Sequence, residues 1–276
     1  MFNFFKKKPK IRFINVLPGV APAYPIYSAR ELKRDWLERN AKDFNTETKR
    51  VKKCPIHEFS FRGLGFMINC PAIKEFMNTG YIVPCPFDFA VDTNGDGVTF
   101  QASTLSPADA GMQFRPDHDN IIATNALQSH SKAQFHDYVK VPRNSLKTVL
   151  KINTGWNIVP DDNFVYMFSS VHYNEEDRFT AAAGILDPYI SPAINVQLYW
   201  HVLQGREIIK AGTPLLQIIP IPRNALQPEH SCEVLNAVDV NKVMSLSFLN
   251  RLTLKPNYNK TREAGKLAMK MPGNEF

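Results

Sequence analysis

The sequence predicts a mainly β protein of the α+β class, and three observations carry that prediction. The strongest apolar patterning has strand period and strand length: INVQLYWHVL at 194–203 and LLQIIPI at 215–221, separated by a Gly205 turn and the short segment REIIKAG. The chain holds 20 prolines but only 13 glycines in 276 residues, and 11% of it is aromatic, a composition suited to strands joined by proline-bounded loops. Asn-Gly and Asp-Gly occur together in DTNGDG at 92–97 between apolar segments, the turn chemistry that closes hairpins.

Taken in order, residues 1–10 read as a basic N-terminal arm, and 11–16 as a short strand followed by the loop PGVAPAYP. Ser28 can cap a helix over 29–42, with Leu32, Trp36 and Leu37 on one face and charged side chains on the other; a polar linker then runs to Lys53. Residues 57–69 are strand-like, and CPAIKEFMNTG is a short helix with Pro71 at its first position and Gly80 at its end. The segment 81–103 is a hairpin turning at 92–97, and 105–145 is the least patterned part of the chain. Strands resume at 146–153, 156–159 and 164–170, with PDDN turning between the last two. A helix near 240–249 and a basic tail over 255–271 close the chain. The expected organisation is the arm at 1–10, a single β-rich domain over 11–228 with its core at 146–223, and a helical, basic extension over 229–276.

Composition narrows the function classes. No apolar run approaches the roughly 18–20 residues that span a bilayer, and MFNFFKKKPK reverses the order of basic and apolar parts in a secretory signal, so no membrane partner and a cytoplasmic chain are expected. The net charge of +7 gathers in 6–10, 49–53 and 255–270; such runs are ordinarily solvated, and contact of the basic arms with nucleic acid is the sharper reading. Cys54 and His57 have the local spacing of a zinc knuckle that Cys70 and Cys85 could complete, but a second tight ligand pair is missing, and reduced thiols are expected. Asp92, Asn94, Asp96 and Gly97 match the first half of a calcium loop, yet Ser103 stands where a bidentate glutamate is required, so a hairpin turn is preferred. Asp119, His130 and His136 have the residue types of an iron-binding triad but lie, with His118, in a segment of loop composition.

The order of motifs in 146–221 resembles the trimeric dUTPase and dCTP deaminase family, whose fold is the β-clip, a distorted β-barrel. KINTGWNIVPDDNFVYMFSS places Pro160 at a turn and Ser169-Ser170 at the family's Ser-rich position, AAGILDPY supplies Gly184 and Asp187, and KAGTPLLQII supplies Gly212 and Gln217. The spacings, 14 residues from Ser170 to Gly184 and 30 from Asp187 to Gln217, are similar to the family's; Phe87-Asp88-Phe89 stands for its acidic motif. The resemblance implies a β-clip core with peripheral helices and a long insertion. It also implies a homo-oligomer, a trimer in the family's form, or assembly with other protein subunits.

The resemblance implies an activity only in outline. For a divergent nucleotide-binding or nucleotide-hydrolysing enzyme, Asp187 would orient water, Asp88 would lie near Mg2+, and Ser169, Ser170, Gln217 and Tyr189 would contact a deoxynucleotide. However, Phe168 replaces the family's arginine before the paired serines, and Ile190-Ser191-Pro192 replaces its Arg-Gly after the aspartate. Without that equipment Gly184 and Gly212 read as turn glycines, Asp187 as a turn or cap residue, and Gln217 as a strand residue satisfying a neighbour's backbone. As a whole the chain is similar to uncharacterised proteins of tailed bacteriophages and some bacteria, through GYIVP, KINTGW, AGILDPY and GTPLLQIIPIPR. The expectation is a non-catalytic assembly or interaction protein without a cofactor, a phage-encoded accessory or virion component located in the host cytoplasm or the virion.

Overall fold

In a computed structural model of the protein, residues 10–17, 19–51, 70–105, 126–130 and 144–226 are described. The described residues are mainly β, arranged in three antiparallel sheets, none of which closes into a barrel. The chain divides into two compact units, Met1–Lys33 with Met77–Gln227, and Arg34–Phe76 with Pro228–Phe276.

In the first unit, β1 (Phe13–Asn15) precedes a one-turn helix, α1 (Val20–Ala23), within the segment expected to be loop. Gly19 starts that turn at φ 79°, a backbone angle that glycine adopts without a Cβ penalty, and Val20 is buried beneath it. Ser28, at the end of β2 (Tyr27–Ser28), caps as expected, but it caps a 3-10 turn over Ala29–Glu31. Leu32 is extended, with ψ 115°, so the helix does not continue.

The second unit contains α2 (Asp35–Val51) and the part of α3 (Pro71–Asn78) up to Phe76. α2 starts later than the sequence suggests and runs to Val51, through the supposed linker, although KDFNTETKR mixes good helix formers (Lys, Glu, Arg) with poorer ones (Asp, Phe, Asn, Thr). α3 ends before Gly80, as its composition indicates. Cys54 and His57, the strand-like stretch 57–69, His118, Asp119, His136 and the helix expected at 240–249 lie outside the described residues.

The remaining strands are β3 (Tyr81–Pro84), β4 (Phe89–Asn94), β5 (Phe100–Thr104), β6 (Leu127–His130), β7 (Val149–Ile158), β8 (Phe164–Ser169), β9 (Phe179–Ala181), β10 (Gly184–Leu186), β11 (Ala193–Trp200), β12 (Gln204–Ile209) and β13 (Pro214–Pro222). One sheet is built on β7: β11 and then β9 lie on one side, while β6 pairs with its first half and β1 with its last three residues. Two strands were expected where β7 is one; Gly155, at φ 70°, bends the chain without ending it. A second sheet has the order β10-β8-β13-β3-β2, and a third the order β12-β4-β5.

The expected hairpin at 92–97 is present as β4 and β5, but β3 leaves it to join the second sheet. REIIKAG, expected only as a short segment between two strands, supplies most of β12, paired along β4 from Gln204 to Ile209. Within the turn, one Asp96 oxygen accepts from the amides of Val98 and Thr99, each at 2.7 Å, and the other from the Thr99 hydroxyl at 2.6 Å. A carboxylate tied to its own loop in this way explains DTNGDG as turn chemistry.

β11 alternates between half-buried and buried along its whole length, with Ile194, Val196, Leu198 and Trp200 inward. These join Leu150, Ile152, Tyr166, Leu215 and Ile218 in one hydrophobic core. Pro220 and Pro222 sit in β13 beyond Ile218, the last residue that β3 pairs, so their missing N–H groups remove nothing from that side of the ladder.

Candidate functional site

The residues implicated by sequence fall at three separate places. Ser169 and Gln217 face each other across β8 and β13, and both are buried. The Gln217 side chain donates to the Thr79 carbonyl at 2.7 Å, tying β13 to the turn that precedes β3. The Ser170 hydroxyl donates to the Ala181 carbonyl at 2.8 Å, joining the end of β8 to β9.

Asp88 lies in the connection between β3 and β4. It accepts from the Ala211 amide at 2.7 Å and from Lys210 Nζ at 2.8 Å, which together hold its carboxyl below the usual carboxylate range. This carboxylate caps the turn at Ala211-Gly212, where Gly212 has φ 88°. Gly212 is therefore the turn glycine that the sequence suggests. Gly184 is not: it is an ordinary strand residue opposite Phe168.

Asp187 follows β10, on an edge of the second sheet. Leu186 pairs with Tyr166, three residues along β8 from Ser169, a separation of about 10 Å at the rise of an extended strand. Within this chain, then, Asp187 does not converge with Ser169 and Gln217. Its backbone carbonyl accepts from the amides of Ile190 and Ser191, which makes DPYIS a tight turn. Its side chain is gripped by Arg223, with Nη2 donating to Oδ1 at 2.9 Å and Nη1 to Oδ2. Tyr189 adds a backbone N–H to Oδ1 at 3.1 Å. The Arg223 guanidinium lies 5.6 Å from the centre of the Tyr189 ring, and the Tyr189 hydroxyl donates to Asp162 at 2.8 Å. The Arg223 amide in turn donates to the Asn163 carbonyl, so the turns at 160–163 and 187–191 are fastened around one arginine.

Beside this network is an open cleft of about 450 Å³ lined by Val165, Ile185, Leu186, Asp187, Ile190, Ser191, Arg223 and Leu226. Its rim is apolar and exposed, with Ile190 at 86% and Ile185 at 56% of full exposure. Arg223, Ile185 and Leu226 did not stand out in sequence. The available signal was an arginine ending IPIPR, directly after an apolar strand.

The Arg223 bonds, more than the Tyr189 amide, hold Asp187 down at about 2 from its ordinary 3.8. Such a carboxylate is a weak base, poorly matched to activating water near neutral pH. Its depression also fixes a pH signature. Between about pH 4 and pH 2 the unfolded chain binds a proton that the folded chain resists, so this contribution is complete above pH 4 and is lost as pH falls through 2. Asp96, held at about 2 chiefly by Thr99, acts in the same window. The melting temperature of Asp187→Asn is therefore expected to fall less steeply from pH 5 to pH 2 than that of the unmodified protein. Identical slopes in calorimetric scans would show that the ion pair does not contribute.

Among the described residues no group of three or more His, Cys, Asp or Glu side chains is placed to hold a metal ion. Cys85 is buried and its thiol donates to the Phe87 carbonyl at 3.0 Å; Cys70 lies half-buried just before α3. His130 is on β6 opposite Val149. His201 was not singled out by sequence: its Nε2 is 2.5 Å from the Thr180 hydroxyl and its Nδ1 is 3.3 Å from the Asn144 carbonyl, a clasp between β9 and the end of β11. No helix among the described residues is long and apolar enough to cross a membrane. Comparisons with protein-family models, curated proteins and solved structures find no match to this chain.

Proposed function

We propose that the protein is a non-catalytic assembly or interaction module with a β-clip-like core, and that the face around the Asp187–Arg223 pair is a contact surface. One observation carries this reading. Asp187, Asp88, Ser170 and Gln217, which the family resemblance would give to nucleotide chemistry, each have side-chain polar atoms engaged in holding turns and strands together. The single arginine at the cleft is bound by a carboxylate and stands near Asp162, an unfavourable setting for a phosphate. An apolar, exposed rim favours another polypeptide surface.

The module is a phage-encoded accessory or virion component, assembling as a homo-oligomer, a trimer in the form the family suggests, or with other subunits. Its basic arms contact a partner or nucleic acid, in the host cytoplasm or the virion. The runner-up, a divergent Mg2+-dependent deoxynucleotide enzyme, rests on motif order and spacing alone. Sedimentation velocity is expected to show an oligomer, and a panel of deoxynucleotides with Mg2+ is expected to leave the melting temperature unmoved. A monomer at all concentrations with no captured subunit overturns the assembly reading. A rise of several degrees with one nucleotide favours the enzyme.

A further inference from the structure

We propose that residues 1–9 of this same chain dock on the cleft beside Asp187, with their phenylalanines against Ile185, Ile190 and Leu226 and their lysines toward Asp161 and Asp162. This names a partner for the surface described above and rests on reading that surface as a contact site.

The route of the chain supplies the first argument. β1 runs antiparallel to β7 with Phe13 opposite Ile158, and the Val159 amide donates to the Arg12 carbonyl at 3.0 Å. Arg12 is thereby held beside Val159, the residue before the turn with Asp161 and Asp162, and Lys10 is two residues further back. That turn is fastened to the cleft, because Tyr189 donates to Asp162 and the Arg223 amide donates to the Asn163 carbonyl. Residues 1–9 are thus tethered within a few residues of the acidic turn that is fastened to the cleft. Nine residues extend to at most about 30 Å, ample to cross it.

Complementarity supplies the second. The cleft and its adjoining turn carry Asp161, Asp162 and Asp187; Arg223 is already bound by Asp187, and Arg12 and Lys10 are the other described cations on the route to the turn. An acidic patch on a chain of net charge +7 suits a basic segment, and the order of residues in MFNFFKKKP matches the order of surfaces. In the proposed docking, Lys8, Lys7 and Lys6, nearest the anchor at Lys10, meet the aspartates, and Phe5, Phe4 and Phe2 reach the exposed isoleucines and Leu226. Tethering next to its own site raises the arm's local concentration well above that of the same arm on a second molecule.

The test uses the full chain with a benzophenone photocrosslinker in place of Phe4. Irradiation is expected to attach position 4 to 184–191 or to Leu226 within single chains, independent of protein concentration. In a second measurement, Phe4→Asp with Phe5→Asp is expected to speed amide exchange across 184–191 by about tenfold, at unchanged melting temperature. Crosslinks mapping elsewhere, or unchanged exchange, overturn the proposal, and crosslinks found only between two chains assign the cleft to a second copy. Sedimentation of the same samples separates this from the broader reading: a monomer with the expected crosslink refutes assembly alone, and an oligomer lacking it refutes arm docking alone.

Discussion

Gly80→Ala is expected to destabilise the β-rich unit by about 4 kcal/mol, the sum of backbone strain and steric overlap. Gly80 lies between α3 and β3 at φ 80°, where a side chain is disfavoured whatever the space. Here the space is also taken. A Cβ would stand 2.0 Å from the carbonyl oxygen of Ile218 and 2.9 Å from its carbon, backbone atoms of β13 that cannot rotate aside. Relief requires β13 and β3 to separate at Ile218↔Tyr81, the end of their register and next to the Gln217 bond to Thr79. For a unit of this size the expected fall in melting temperature is about 10 °C. Gly184→Ala is the internal control: its Cβ would meet nothing within 4 Å and φ is not positive, so scanning calorimetry should find its transition almost unmoved.

The contrast between these glycines also shows what was legible in the sequence. Gly80 was readable as a helix end because the residues before it have helix period and Pro71 starts them. Its closeness to Ile218 was not, since that depends on a pairing partner far along the chain. The alternation in 194–200 identified β11 because one face meets the core and the other does not. REIIKAG was missed as a strand for the converse reason: β12 has Gln204, Gly205, Arg206 and Ile208 exposed, so hydrophobic period carries little signal on this sheet.

The candidate site was partly legible. Asp187, Asp88 and Gln217 were picked out by motif order, and each proves to be a side chain that holds backbone in place. Motif spacing preserves the turns a fold needs, so it marks structural aspartates as readily as catalytic ones. Arg223 could not be found this way, because 36 residues separate it from the carboxylate it binds.

Trp200→Ala is expected to cost about 4 kcal/mol, within the range for emptying a buried aromatic position. Trp200 ends β11 opposite Phe179 and has no exposed surface. Its carbonyl accepts from the Leu146 amide at 2.8 Å, and the neighbouring His201 amide donates to the Arg178 carbonyl, so three segments meet around one indole. Collapse onto the cavity is hindered because strands fixed by these bonds cannot move independently. The indole N–H, however, finds no acceptor among the described residues. A buried donor without a partner offsets part of what the ring contributes by burial. Trp200→Phe, which removes that donor and keeps most of the apolar volume, should therefore cost only about 1 kcal/mol. Urea unfolding of both variants measures the two terms separately. If Trp200→Phe is as damaging as Trp200→Ala, the indole N–H has an acceptor after all, and the weight of this site lies in a hydrogen bond instead of in packing.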